Sequence, residues 1–535
     1  MGAPEEAEVR VKPLCPKCGE PVNKRGHGLG VQRWSHSNPA KSACKWHGTR
    51  PVYAEAAESA GVDPIVSAKI HKQILKDARK VKRFVITSAQ NATPVHRAFL
   101  ASLQAYAAWN RAQLIVVPYR YKNPTSMWSE NAKHDDWWAP ELAPYLLDKR
   151  IELNRHLMLL ADIKTQPTSS APLGGFETIT GGRSAIIGHP RLELKTVATP
   201  QNKLPKILTT TGAVTEKNYI PSKAGKQGEH HHTFGACVVE LKGDVFHIRQ
   251  INALDDGSFM DLDCEYRGGR VKRGIRAKAL VMGDSHVEFI DPGVVEATFG
   301  KKGIVATLRP EFLVWHDLTD FFSRNHHHRG EVFTNYAKYH AKADDVRAEL
   351  QRTFDFVTRN TPPNTKNVFV PSNHPDALAK WVKEADPKTD PQNALFWAET
   401  FVEMCKGAKM TENGASTIDP FVYWARHMMP AANDTHFLHR DESFQLAGIE
   451  VGYHGDRGPN GAKGTLKGFT KIGVKTITGH SHSPGIEGGA YRVGTNSRLK
   501  LEYTSGPSSW LHTDCLVYAN GKRSLLSVID GEWRA

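Results

Sequence analysis

Five apolar runs in the second half of this 535-residue chain each stop at a cluster of Asp, Asn or His, and this repeated pairing constrains the fold more than any other feature. AKALVM leads into Gly283-Asp284-Ser285-His286, and EFLVW leads into His316 and Asp317. KNVFV leads to Asn373 and His374, GIEVGY stops at His454, and VKTIT runs into Gly479-His480-Ser481-His482. Short apolar runs bounded by turn residues read as buried strands, and open α/β sheets present functional groups at the carboxyl ends of such strands. Alternation along an extended chain is expected to point Asp284 and His286 to one side. Eight candidate metal-binding or catalytic groups thus converge: Asp284, His286, Asp317, Asn373, His374, His454, His480 and His482. Nitrogen and oxygen donors without thiolate suit manganese, iron, zinc or magnesium.

The N-terminal segment carries a different metal signal. Cys15-x-x-Cys18 and Cys44-x-x-His47 flank a basic, Gly-rich stretch, the spacing of a zinc ribbon in which two close ligand pairs fold a fragment with almost no core around one structural zinc. His27 and His36 lie between the pairs as alternative fourth ligands, and Lys24, Arg25, Arg33, Lys41 and Lys45 decorate the segment. The remaining cysteines are scattered, which suits a reducing compartment.

Length bounds the rest. At about 100 to 200 residues per domain, two to four domains are expected. The boundaries read as a zinc ribbon over 1–50, a basic helical linker over 51–81, an α/β and β-rich accessory domain over 82–277, and a catalytic domain over 278–535. KRFVITSAQ, VHRAFLASLQAYAAWN and AQLIVVPYRY predict strand, helix and parallel strand, and RLELKTVATP, GACVVELKG and DVFHIRQINAL predict further strands. His230, His231 and His232 read as a polar loop. The aromatic residues Phe396, Trp397, Phe401, Phe421, Tyr423 and Trp424 fall at helical spacing, where core packing is the expected use.

No apolar run of about 18 residues could span a bilayer and the first residues lack a signal-peptide core, so no membrane partner is expected and the cytosol is the expected compartment. Lys and Arg exceed Asp and Glu by 70 − 56, a net charge of +14, which favours polyanions and makes DNA the expected partner. Oligomeric state stays open, a homo-oligomer included.

In its order of motifs (Asp-x-His, an Asp after a second strand, Asn-His, His, and Gly-His-x-His) the chain from about residue 278 to 530 resembles the calcineurin-like metallophosphoesterase superfamily. It departs at His316, where that family has Gly, and at Ser372 and Pro375 around Asn373-His374, which leaves the role of Asp376 open. The resemblance implies an α/β fold with a βαββαβ-type four-layer β-sandwich flanked by helices. It also implies one divalent ion on Asp284, His286 and His482, a second on Asn373, His454 and His480, and Asp317 bridging them. His374 would be the catalytic non-ligand, manganese the first choice of metal, and Arg329 in NHHHRGE a substrate-binding cation. The superfamily spans nucleases, phosphatases and nucleotide phosphodiesterases. The 81 residues between Asn373 and His454 leave space for insertions, as in double-strand-break-repair nucleases. The zinc-ribbon start, KRFVITSAQNATPVHRAF and VPYRYKNPTS further resemble early-expressed DNases of tailed phages, which implies a DNA nuclease in a host cytoplasm. A phosphatase or nucleotide phosphodiesterase with a regulatory N-terminal half, or a DNA-binding scaffold with a structural metal site, are the alternatives.

Overall fold

The structure, a computed structural model, describes residues 81–121 and 137–535 apart from 164, 201, 202, 204, 413, 431–433, 441, 502 and 503, together with short stretches before residue 81. In the N-terminal region, strands Val22–Gly28 and Val31–His36 form an antiparallel hairpin, and His47–Gly48 pairs with the second of them. Cys15, Cys18 and Cys44 lie outside the described residues, as do the side chains of His27, His36 and His47 and most of the basic linker.

The fold is mixed α/β, built on three larger sheets. A six-stranded sheet orders Thr435–Phe437, Lys366–Phe369, Phe312–Trp315, Ala279–Val281, Thr513–Val517 and Arg523–Ser527; its first four strands are parallel and the last two close it as an antiparallel hairpin. Strand alternation sets its two faces. Ala279, Val281 and Val314 point into a core shared between sheets, whereas Leu280, Met282, Leu313 and Trp315 pack under helices that contribute Leu350, Phe354, Leu378 and Trp381. Of the aromatic segment, Phe396, Phe421 and Trp424 join this helical layer, as the spacing predicts, while Phe401 is exposed.

The predicted strand–helix–strand unit forms as Arg83–Gln90, Arg97–Asn110 and Gln113–Tyr119, the strands parallel from Phe84 opposite Gln113 to Gln90 opposite Tyr119. His96 caps the helix by accepting from the Phe99 N–H at 3.2 Å. Gly235–Lys242 and Val245–Asn252 extend this sheet to four strands. Arg249, fully buried there, meets both Asp261 oxygens at 2.9 Å and Glu240 at 3.0 Å, so that two carboxylates compensate the buried guanidinium charge.

A ten-stranded sheet crosses the expected boundary at 277/278. Its order is Gln445–Leu446, Ile449–Glu450, Lys475–Thr478, Ala490–Arg492, Gly485–Glu487, Glu193–Val197, Lys206–Thr210, Ser184–Ile187, Leu157–Leu159 and Ile151–Glu152. The junction is the antiparallel pairing of Glu193–Lys195 with Gly485–Glu487. One apolar core holds Phe84 and Ile86 of the four-stranded sheet, Ile186 and Ile477 of the ten-stranded sheet, and Val281 and Val314 of the six-stranded sheet. The histidine triplet is not a loop: Lys223–His231 is a helix, capped by the Ser222 hydroxyl on the Gly225 N–H, with His232 buried just beyond it. No helix among the described residues is long and apolar enough to cross a membrane.

Candidate metal centre

The two larger sheets bring their motif-bearing ends together. Asp284–His286 and His316–Asp317 follow two adjacent parallel strands of the six-stranded sheet, and His454 and His480–His482 follow two adjacent parallel strands of the ten-stranded sheet. Beyond the strand ends, backbone bonds keep the loops in step. The Ser285 and His286 N–H groups donate to the carbonyls of His316 and Asp317 at 3.0 and 2.7 Å, and the Gly479 N–H donates to the His454 carbonyl at 2.6 Å. A polar cluster at such a strand-end crevice is where α/β sheets place ligands.

Alternation is not what aligns Asp284 with His286. The strand ends at Val281, and His286 adopts a left-handed backbone with φ of 39°. Asp317 (39°), His480 (73°) and His482 (58°) are also left-handed. Such a conformation costs a non-glycine residue on the order of 1 kcal/mol or more and persists where the surroundings over-determine it, characteristically at functional sites.

Four overlapping triads result, each offering ligand atoms within 4.8 Å of one another: Asp284, His286 and His482; Asp284, His316 and His454; Asp317, His454 and His480; and His286, Asp320 and His374. The predicted first-ion set of Asp284, His286 and His482 is thus one triad as it stands. The His482 Nε2 lies 3.1 Å from Asp284 Oδ2 and 3.2 Å from the His286 Nε2. Asp317 Oδ2 stands between the two halves, 3.0 Å from His454 Nε2 and 3.9 Å from His286 Nε2. Asn373 opens the helix Asn373–Glu384 with its side chain exposed, next to His374, whose ring meets that of His286 at 4.7 Å.

His316 and Asp320 belong to the cluster although neither was singled out as a ligand. The His316 Nδ1 is 3.2 Å from His454 Nδ1. Asp320 Oδ1 is 3.2 Å from His286 Nδ1, and its carbonyl oxygen is 3.0 Å from the His374 Nδ1. The three-residue interval from Asp317 to Asp320 was the available signal. Asp376 turns elsewhere: with Asp456 it clamps Arg440, whose nitrogens approach each carboxylate to 2.7 Å. Arg329 is exposed and paired with Glu384 at 3.1 Å, while His326–His328 form a single helical turn before it.

Asp284, Asp317 and Asp320 are all buried. Burial alone would raise Asp284, yet His454 and His482 hold it below the usual carboxylate range; burial likewise opposes Asp317, which His454 and His374 hold well below that range. Burial favours the neutral ring of His454, but Asp317 and Asp284 raise it to about 9. Burial and the neighbouring His454 lower His316 to about 4, which keeps its lone pair free to ligate.

The donor set fits divalent cations. Asp284 Oδ1 and Oδ2, Asp317 Oδ1, Asp320 Oδ1, His286 Nδ1, His316 Nε2, His454 Nε2 and His482 Nδ1 are all buried without a hydrogen bond of acceptable geometry, the approaches of His454 to Asp317 at 3.0 Å, His482 to Asp284 at 3.1 Å and His286 to Asp320 at 3.2 Å included. Buried polar atoms are ordinarily satisfied, so eight orphans in one cluster call for a partner outside the chain. Mixed imidazole and carboxylate donors without thiolate suit first-row divalent ions and magnesium.

No family model and no solved structure matches the chain. It is 33% identical over 522 residues to Protein A1 of Escherichia phage T5, an alignment that covers 95% of this chain and 92% of that protein. The chain belongs to the family of Protein A1 of Escherichia phage T5.

Proposed function

We propose that this protein is a metal-dependent DNA nuclease of calcineurin-like metallophosphoesterase architecture that hydrolyses phosphodiester bonds with two divalent ions, manganese first among them. The observation that carries the reading is the convergence of orphaned, buried Asp and His atoms from two sheets on one strand-end cluster. Asp284, His286 and His482 would hold one ion and His454 and His480 the other, with Asp317 between them and His316 and Asp320 as supporting donors. Ions in this arrangement supply Lewis-acid polarisation of the phosphoester and stabilise charge on the attacking and leaving oxygens.

The chain's own contribution is clearest at His374. A carbonyl oxygen only accepts, so the Nδ1 facing Asp320 carries the hydrogen, and Nε2 is left to hold or release a proton. His374 is only part-buried, in contrast to the fully buried His286 against which it packs, so that Nε2 is suited to protonate a leaving oxygen. His482 is oriented from outside by the Trp510 ring, 4.1 Å away and edge to face.

DNA as substrate draws on three further supports: the +14 net charge, the phage relative, and the resemblance to phage DNases. The basic N-terminal region with its Cys15, Cys18, Cys44 and His47 set would assist DNA binding around a structural zinc. The deciding experiment incubates the full chain with linear and circular DNA, with and without manganese. Degradation that requires manganese and disappears in Asp317→Ala and His374→Ala supports the nuclease. Intact DNA beside rapid cleavage of an aryl phosphodiester would replace it with a small-molecule phosphodiesterase.

A further inference from the structure

Away from the candidate metal centre, a cavity of about 590 Å³ opens where the accessory region meets the C-terminal half. Arg191 enters from just before the strand Glu193–Val197, His230 and His231 from the end of their helix, Lys475 from the start of Lys475–Thr478, and Lys522 and Arg523 from the hairpin that closes the six-stranded sheet. No carboxylate lines it. None of these cations lies within ion-pair distance of a carboxylate among the described residues, although Asp255 acts on Lys522 and Glu193 on Arg191 from further away.

Concentrating cations without counter-charges is unfavourable for a folded chain, since like charges disfavour one another and burial disfavours each. The strain registers on several members. Burial and then Lys475 lower Lys522, burial and then Arg523 lower Lys475, and burial with Arg191 and His230 brings His231 to about 4. The Arg191 Nε is buried without a hydrogen-bond partner. Arg523 is fixed by donating to the carbonyls of Thr476 and Gly489 at 2.8 and 3.0 Å, and its guanidinium lies over the Tyr491 ring, so it acts as the rigid floor. Gly488 and Gly521, both at positive φ, also line the cavity.

We propose that this cavity is a second anion site, separate from the metal centre, that takes phosphate groups of a nucleotide or of a nucleic-acid strand. Its rim of Lys and Arg supplies point-charge and fork-shaped donors for phosphate oxygens, and its volume accommodates a nucleotide-sized group. Because residues from both halves build it, an occupied site also ties the two together. The inference does not rest on hydrolysis at the metal centre.

Binding is measured on the full chain by fluorescence anisotropy with two labelled probes, a phosphorothioate oligonucleotide and a nucleoside triphosphate whose phosphate bridges are replaced by non-hydrolysable imido groups, and without added divalent metal, so that catalysis plays no part. Lys475→Ala with Lys522→Ala is expected to weaken binding of at least one probe roughly tenfold and, for the oligonucleotide, to reduce the salt slope by about 1.4, the value for two single-strand phosphate contacts. Loss confined to the oligonucleotide identifies a strand, and loss of the triphosphate identifies a free nucleotide. The exposed Lys475→Gln alone, which leaves Arg523 and its carbonyl bonds intact, should show part of the loss. Lys301→Ala with Lys302→Ala, exposed lysines outside the cavity lining, removes the same charge elsewhere. Unchanged affinity for both probes in the cavity variants, or equal loss in the Lys301 and Lys302 control, overturns the proposal.

Discussion

Gly479 is packed against the Asp284 carboxylate so closely that a methyl group on it would overlap Asp284 Oδ1 and press on the His316 ring at 3.3 Å. The glycine that opens Gly479-His480-Ser481-His482 therefore serves the opposite half of the centre. Gly479→Ala should displace Asp284 while leaving the ligands themselves in the chain. We expect manganese affinity to fall by about 10- to 100-fold, the range for lost support around a ligand, with little change in circular dichroism. Titration calorimetry with manganese checks this; wild-type affinity in the variant would show that the contact is slack.

His374 and Asp317 should separate in their effects. His374→Ala should retain manganese binding and lower kcat on a phosphodiester by about 10²- to 10⁴-fold, the range for a lost general acid. Asp317→Ala should lose both binding and turnover, because Asp317 reaches His454 and His286 together. Equal metal affinity in the two variants would contradict a bridging role.

Manganese should also stabilise the fold. An ion that binds only the native state adds about 2.7 kcal/mol at a hundredfold excess over its Kd, so Tm should rise with manganese concentration. In His482→Ala, which removes one donor of the Asp284 triad, the rise should shrink. Differential scanning calorimetry over a manganese series gives the slope in each protein.

A pH effect is expected from Glu349. Its carboxylate accepts the Phe322 and Ser323 N–H groups at 2.8 Å and so anchors the loop that carries Asp320. Burial, opposed by the Ser323 hydrogen bonds, raises it from 4.5 to about 7. With the folded value above the unfolded one, the native state binds the extra proton between those limits, so this group's contribution to stability is full below about 4.5 and is lost as pH rises towards 7. Glu349→Gln should flatten the stability profile across that window. A profile with unchanged slope in chemical denaturation would exclude Glu349 as its origin.

The strand ends were legible because an apolar run stopped by Asp or His carries two local signals at once, and Arg83–Gln90, Arg97–Asn110 and Gln113–Tyr119 were legible for the same local reason. His316 was visible only as an oddity, since its membership depends on how the loop after Trp315 meets the loop that carries His454. Asn373 shows the converse: the motif is present, but the helix begins on that residue and leaves its side chain exposed. The helix Lys223–His231 was hidden by Gly225 and Gly228, poor helix formers whose positions are set by contacts with Ile220 and Tyr219. Pairing between Glu193–Lys195 and Gly485–Glu487 joins segments about 290 residues apart in sequence, and no local pattern announces so distant a partner.

That same pairing limits how the protein can be divided or inherited. A fragment beginning at Lys278 would bare the backbone donors and acceptors of Gly485–Glu487 as a raw sheet edge, open to pairing with any other chain. Recombination between related genes that exchanged only the motif-bearing half would have to preserve the mating edge on Glu193–Val197 as well. The seam, more than the Asp and His cluster, sets the smallest unit that can be passed on intact.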